Sequence, residues 1–164
     1  MSLYLRPAMP QDELFLYQLA YETFYEQLHA ELWDPNIRES VLKMQIDGQR
    51  GSYAAQFPNA DHGIIMLDDR PVGRLIVDRG PEVHHLVDIT ILKRHRSAGI
   101  GTVLIRALGT EGDLMRKPIR LHVMVTNRAK ALYQRMGFRL IEENPVTWLM
   151  ERPPGSGLVT AVSR

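Results

Sequence analysis

The sequence predicts an α/β (mixed α+β) domain, and three observations carry that reading. Two-residue alternation and 3.6-residue periodicity trade places along the chain. The resulting order is strand, two helices, three strands, helix, strand, helix, two strands. Glycine, proline and paired acidic residues punctuate these segments, without an internal repeat or a second domain. With 164 residues the chain suits one core, so a single domain is expected over 1–152, followed by a loose tail over 153–164.

"LYLRPA" alternates Leu3 and Leu5 with Tyr4 and Arg6, as a short strand does. After Pro10 a helical pattern carries Leu14, Tyr17, Phe24 and Leu28. "ELWD" reads as a loop. "DPNIRESVLKMQIDGQRG" reads as a second helix, with Pro35 in its first turn and Ile37, Val41 and Met44 on one face. Gly48 or Gly51 is expected to end it. "HGIIMLDDRPVGRLIVDRG" is two strands around an Asp-Asp-Arg turn, and Gly73 inside the second suggests a bulge or a close contact. "EVHHLVDITIL" is a further strand. It sets Val83, His85, Val87, Ile89 and Ile91 on one face and His84, Leu86, Asp88, Thr90 and Leu92 on the other. A helix then carries Ile100, Leu104, Ala107 and Leu108. "IRLHVMV" is a strand, and "NRAKALYQRMGF" is a helix capped by Asn127 and stopped at Gly137. "FRLIEE" and "TWLME" close the pattern as strands.

Composition narrows the function. Net charge is +1, which gives no support to a general nucleic-acid or membrane-surface binder. There is no cysteine, so disulfides, thiolate metal sites and cysteine nucleophiles are excluded. Neither a signal-like apolar run nor a stretch near 18 apolar residues is present, so the expected setting is cytoplasmic. His84 and His85 adjoin but diverge on a strand, and no ligand set completes a metal site around them.

"RHRSAGIGTVLIRAL" places Arg94, His95 and Arg96 before two glycines and a helix. The first N–H groups of a helix lack intrahelical partners, and with the dipole they favour an anion. Glycine admits a phosphate without a β-carbon in its way, and Arg96 can add a charge-assisted bond. The stretch therefore reads as a phosphate cradle. It is not a P-loop, since Thr102 and Val103 follow Gly101, and not a dinucleotide fingerprint, since Leu104 stands where a small residue is needed. The form R-x-x-G-x-G, Arg96-Ser97-Ala98-Gly99-Ile100-Gly101, resembles the coenzyme A signature of the GNAT superfamily of N-acetyltransferases. About thirty residues on, "NRAKALYQRMGF" resembles that family's second signature. The resemblance covers residues 2 to 152. It implies a GNAT-like mixed sheet, splayed between the strand at 83–92 and that at 119–125. Acetyl-CoA would bond to the strand near Ile91 and Leu92 and rest its pyrophosphate on Arg96, Ser97, Ala98, Gly99, Ile100 and Gly101, with Thr102 close by. The second signature adds Asn127 and Tyr133 to the cofactor set.

Acyl transfer to an amine needs a proton removed, an oxyanion stabilised and a thiolate protonated. The resemblance gives Tyr133 the last role; packing beside the cofactor is the alternative. Asp88 shares a face with Leu86 and Leu92, so it is a candidate base, amine ligand or hydrogen-bonded structural residue. His122, turned away from Leu121 and Val123, is the other candidate, against simple packing. The acceptor side falls to the first half, with aromatic Tyr21, Phe24, Tyr25, Trp33 and Phe57, most of them expected in the core. The leading expectation is an acetyl-CoA-dependent N-acetyltransferase acting on a small-molecule or peptide amine by direct attack, because no cysteine can carry the acetyl group. A non-catalytic coenzyme A binding or sensor module and a generic phosphoanion-binding domain stand as alternatives. The apolar "GLVTAV" of the tail hints at a homodimer.

Overall fold

The computed structural model describes residues 2–155. Of the loose tail expected over 153–164, residues 153–155 are described, with the Gly155 N–H donating to Asp113 at 2.8 Å; residues 156–164, and with them the apolar tip that hinted at a dimer, lie outside the described ones. Seven strands and four α-helices follow in the expected order: β1 (Leu3–Pro7), α1 (Glu13–Gln27), α2 (Pro35–Gln56), β2 (Asp61–Leu67), β3 (Arg70–Arg79), β4 (His84–Ile91), α3 (Ile100–Met115), β5 (Ile119–Met124), α4 (Ala129–Arg135), β6 (Arg139–Glu143) and β7 (Thr147–Arg152). The contacts divide the chain into two compact units. One comprises Met1–Ile76 and Asp88–Ala98, the other Val77–Val87 and Gly99 onward. Strands β3 and β4 therefore each run from one unit into the other.

In the first unit the strands follow the order β1-β2-β3-β4. β1 and β2 pair antiparallel from Leu3 opposite Leu67 to Pro7 opposite Gly63. Two residues, Asp68 (φ 49) and Asp69 (φ 65), turn β2 into β3. Positive φ at both is the geometry of a tight hairpin turn, which aspartate tolerates. Arg70, expected in that turn, already belongs to β3. Gly73 proves to be a close contact: a β-carbon there would stand 2.3 Å from the Thr90 carbonyl oxygen, so β3 meets β4 only as glycine. The helices bury other faces than expected. α1 hides Leu19 and Ala20, while Leu14 is exposed and Leu28 lies past its end. α2 begins at Pro35, behind an Asp34 cap that accepts the Asn36 N–H at 2.9 Å. It runs through Gly48 and Gly51 to Gln56. Each glycine costs about 1 kcal/mol against alanine, too little to stop a helix whose Leu42, Ile46, Gln49 and Tyr53 keep one face at 4-3-4 spacing. Ile37 and Met44 are exposed.

In the second unit the order is β3-β4-β5-β7-β6. The parallel β4–β5 ladder holds two residue pairs, His84 with Ile119 and His85 with Arg120. β5 and β7 pair antiparallel along six positions, from Ile119 opposite Arg152 to Met124 opposite Thr147. α3 buries Ile100, Leu104, Ile105 and Leu108, whereas Ala107 is exposed. Gly109 and Gly112 are buried because a guanidinium and the β5 strand press on them: β-carbons there would meet Arg152 Nε at 2.9 Å and the Lys117 carbonyl at 2.9 Å. α4 opens where Asn127 Oδ1 accepts the Ala129 N–H at 2.9 Å and stops at Gly137, φ 95. Among the described residues no helix is long and apolar enough to cross a membrane.

Candidate functional site

The stretch after β4 is pinned within the first unit. Glu22 accepts the Lys93 backbone N–H at 2.9 Å. Glu26 accepts from Arg96 Nη1 at 2.7 Å and lies 3.2 Å from Lys93 Nζ. These cations hold the Glu26 carboxyl below its ordinary range, Arg96 first. Arg96 Nε also donates to the Ile91 carbonyl at 3.1 Å, folding the loop back on the end of β4. The acidic clamp from α1 is the feature that motif reading missed; its signal is Glu22 and Glu26, one turn apart on a helix. Ser97 then takes a positive φ of 63.

In the second unit the same loop continues into α3. Gly99 has φ 83, and a β-carbon on it would meet nothing within 4 Å. The first intrahelical bond is Val103 N–H to the Gly99 carbonyl at 3.1 Å. The N–H groups of Ile100, Gly101 and Thr102 precede it and are left over by the helix. Left-handed backbone at Gly99, the N–H groups left over by the helix and its dipole are features that favour an anion at the start of α3. The open space beside Gly99 fits the phosphate that this cradle is expected to hold. Tyr133 lies on α4, buried, edge-on to Phe138 with ring centroids 5.7 Å apart.

Asp88 sits in the first unit as a partner in a nearly closed cluster. Its Oδ2 accepts from Arg74 Nε at 2.7 Å and lies 2.6 Å from Nη2, and its Oδ1 accepts from the Thr90 hydroxyl at 2.7 Å. Arg74 Nη2 also donates to Gln49 Oε1 at 2.8 Å. Both carboxylate oxygens are thus engaged, one by a guanidinium. Arg74 is the partner that sequence reading lacked for the buried acid. A charged residue in the apolar run of β3 was the available signal.

His122 is exposed on β5 while Leu121 and Val123 are buried, as alternation required. The second unit brings it to His85: the rings stack with centroids 5.3 Å apart, and Nδ1 of His122 is 3.4 Å from Nε2 of His85. Burial, and then the His122 ring, lower the His85 pKa to about 4. His84 points the other way, fully buried, with Nδ1 3.1 Å from Glu111 Oε2 but outside hydrogen-bond geometry. The two adjacent histidines thus serve different faces. The cross-strand histidine pair depends on strand register and was invisible to local pattern. Among the described residues no group of three or more His, Asp or Glu is placed to hold a metal ion.

The acetyltransferase (GNAT) domain model matches residues 58–140, just over half of the chain. The chain therefore belongs to the GNAT acetyltransferases, for which acetyl-CoA is the acetyl donor. No curated protein sequence matches it significantly. Solved structures share the fold. The PaiA N-acetyltransferase of Thermoplasma acidophilum, determined with coenzyme A, is 18% identical at a TM-score of 0.68, covering 93% of this chain and 99% of that one. An acetyltransferase of Thermus thermophilus is 22% identical at 0.66, covering 93% and 97%. A histone acetyltransferase HPA2-related protein of Corynebacterium glutamicum is 19% identical at 0.66, covering 94% and 97%.

Proposed function

We propose that the protein is an N-acetyltransferase that moves the acetyl group of acetyl-CoA to a primary amine by direct attack in a ternary complex. The left-handed Gly99, opening onto the N–H groups left over at the start of α3, is the observation that carries this reading. In this reading Arg96, Ser97, Ala98, Gly99, Ile100, Gly101 and Thr102 hold the pyrophosphate, Ile91 and Leu92 offer strand groups to the pantetheine arm, and Asn127 shapes the start of α4. When bound, acetyl-CoA supplies a thioester carbonyl open to attack and a thiolate leaving group. Tyr133 Oη gives its proton to the departing sulfur. His122 takes the amine's proton, with the neutral His85 ring stacked behind it. Asp88 holds Arg74 in place and does not act as the base, because both of its oxygens are engaged.

That same engagement favours one second reading, a coenzyme A binding or sensor module without turnover. Two measurements separate them. Calorimetry with coenzyme A should show binding that Gly99→Asp weakens by about 100-fold, the loss of roughly two charge-assisted contacts; unchanged affinity would remove the cradle. Thiol release with a panel of amines should show turnover, and Tyr133→Phe should lower kcat by about 10²–10⁴-fold with coenzyme affinity held. Binding without thiol release from any amine would leave the sensor module.

A further inference from the structure

A cavity of about 290 Å³ lies wholly within the first unit. α1 supplies Leu16 and Ala20 to its wall, α2 supplies Ile46, and β3 supplies Ile76. Its polar side is a cluster of Arg74, Gln49, Tyr53 and His62. Arg74 is only 16% exposed, and Asp88 and Gln49 use its Nε and Nη2, so among the described residues Nη1 has no hydrogen-bond partner. The guanidinium carbon lies 5.9 Å from the Tyr53 ring centroid. Burial, and then Asp88, push the Tyr53 phenol up, so it stays protonated and able to donate. Burial, and then Arg74, pull His62 down, so it is neutral at pH 7. At the rim Arg50 is cancelled by Glu13 at 2.8 Å. The lining thus offers an unused guanidinium nitrogen, Arg74 Nη1, and neutral donors beside a wall of aliphatic carbon.

From this lining we infer that the cavity selects the acceptor: a small amine that also carries a carboxylate and an apolar side chain, an apolar α-amino acid being the simplest case. The inference rests on the acetyltransferase reading and names its substrate class. A carboxylate suits Arg74, since a guanidinium can serve two carboxylates on different edges. A bare cationic amine does not, because nothing in the lining but the rim Glu13 would attract it. The volume lies at the small end of ligand pockets, about 300 Å³, which excludes a long peptide from the cavity itself. Arg74 is tied to Asp88, three residues before Ile91 on β4, roughly 10 Å along a strand. A ligand carboxylate at Arg74 therefore lies beside the strand that the acetyltransferase reading assigns to the thioester arm.

The test pairs binding with turnover, using L-leucine, 3-methylbutylamine (leucine without its carboxylate) and 4-methylpentanoate (leucine without its amine). Calorimetry on the full chain without coenzyme should show leucine and 4-methylpentanoate binding at least 10-fold more tightly than 3-methylbutylamine. Arg74→Gln should erase that preference, and Tyr53→Phe, which keeps the ring, should reduce it by a few-fold. Thermal melts of both variants show that they are folded; if Arg74→Gln is not, Tyr53→Phe decides. In thiol release, KM for leucine should fall at least 10-fold below KM for the amine. Equal binding of all three ligands, or a preference for 3-methylbutylamine, overturns the inference even if amines are acetylated. Carboxylate binding that vanishes in the variants, without thiol release from any amine, upholds the pocket and overturns the enzyme reading instead.

Discussion

The pairs Arg74–Asp88 in the first unit and Arg152–Asp113 in the second both keep their two side chains largely away from bulk water, and they differ in what is left over. In the second unit Arg152 Nη1 and Nη2 donate to Asp113 at 2.8 and 3.1 Å, and Nη1 also reaches the Gly109 carbonyl at 3.2 Å. The Gly155 N–H adds a further donor to Asp113 at 2.8 Å. The guanidinium lies against Gly109, where no side chain intervenes. In the first unit Arg74 gives Nε and Nη2 to Asp88 and Gln49, keeps Nη1 outside these bonds and lines a cavity. The chemistry is the same, yet one pair is closed and the other open. A closed pair fastens elements, here α3 to β7; an open one has a hydrogen-bond direction to offer a ligand.

Breaking the closed pair should have the largest effect. Asp113→Ala leaves a buried guanidinium without its counter-charge, which costs about 3–5 kcal/mol. Urea unfolding should show that loss as a lower midpoint at unchanged slope. Asp113→Leu combined with Arg152→Met should recover most of it, since apolar side chains of similar volume replace a buried pair at little cost. A single-variant loss below about 1 kcal/mol would mean that water reaches this pair and that the contrast between the units fails.

The open pair should respond less. Asp88→Ala should cost about 1–3 kcal/mol, the usual loss for an unpaired, partly buried partner. It should also respond to added ligand. At millimolar 4-methylpentanoate the variant should gain more in melting temperature than the parent, because the added carboxylate replaces the one removed. An identical gain in both proteins would detach Asp88 from the cavity.

The comparison also shows what was readable beforehand. The order of elements came through because each strand and helix states its own period, as in Leu3–Pro7 or Ile100–Met115. The glycine turn before α3 came through because Gly99 and the start of that helix are neighbours in the chain. Helix faces were read less well: Leu14 and Met44 look apolar in sequence but face out, since which stripe is covered depends on what packs there. The end of α2 was misplaced because two glycines weaken a helix without terminating it. Arg74 with Asp88, His85 with His122, and Glu26 with Arg96 are 14, 37 and 70 residues apart. They meet only through strand register or helix docking, which no local pattern encodes.

The smallest effect distinguishes the units by pH. In the second unit His85 is neutral when folded, with its pKa lowered from 6.5 to about 4 by burial and by His122. Above pH 6.5 the ring is neutral in both folded and unfolded chains, and its contribution to stability is fully present. As pH falls from 6.5 to 4 the unfolded chain takes the proton first, so stability is lost through that window and levels off below it. In the first unit Asp12 is held at about 2, against 3.8, by Arg6 at 2.7 Å, so its contribution persists above pH 3.8 and goes only as pH falls toward 2. Allowing for partial solvent access, His85 should account for about 1–2 kcal/mol between pH 7 and 4. His62 and His84 are also held below 6.5 by burial first, so His85→Gln should make the fall between pH 6.5 and 4 shallower and leave the fall below 3.8 intact; Asp12→Asn should do the reverse. Histidine proton resonances followed by NMR give the direct reading: the His85 ring should titrate near 4 in the folded protein. Titration near 6.5 would show that water reaches that ring and would remove the neutral partner on which the role of His122 depends.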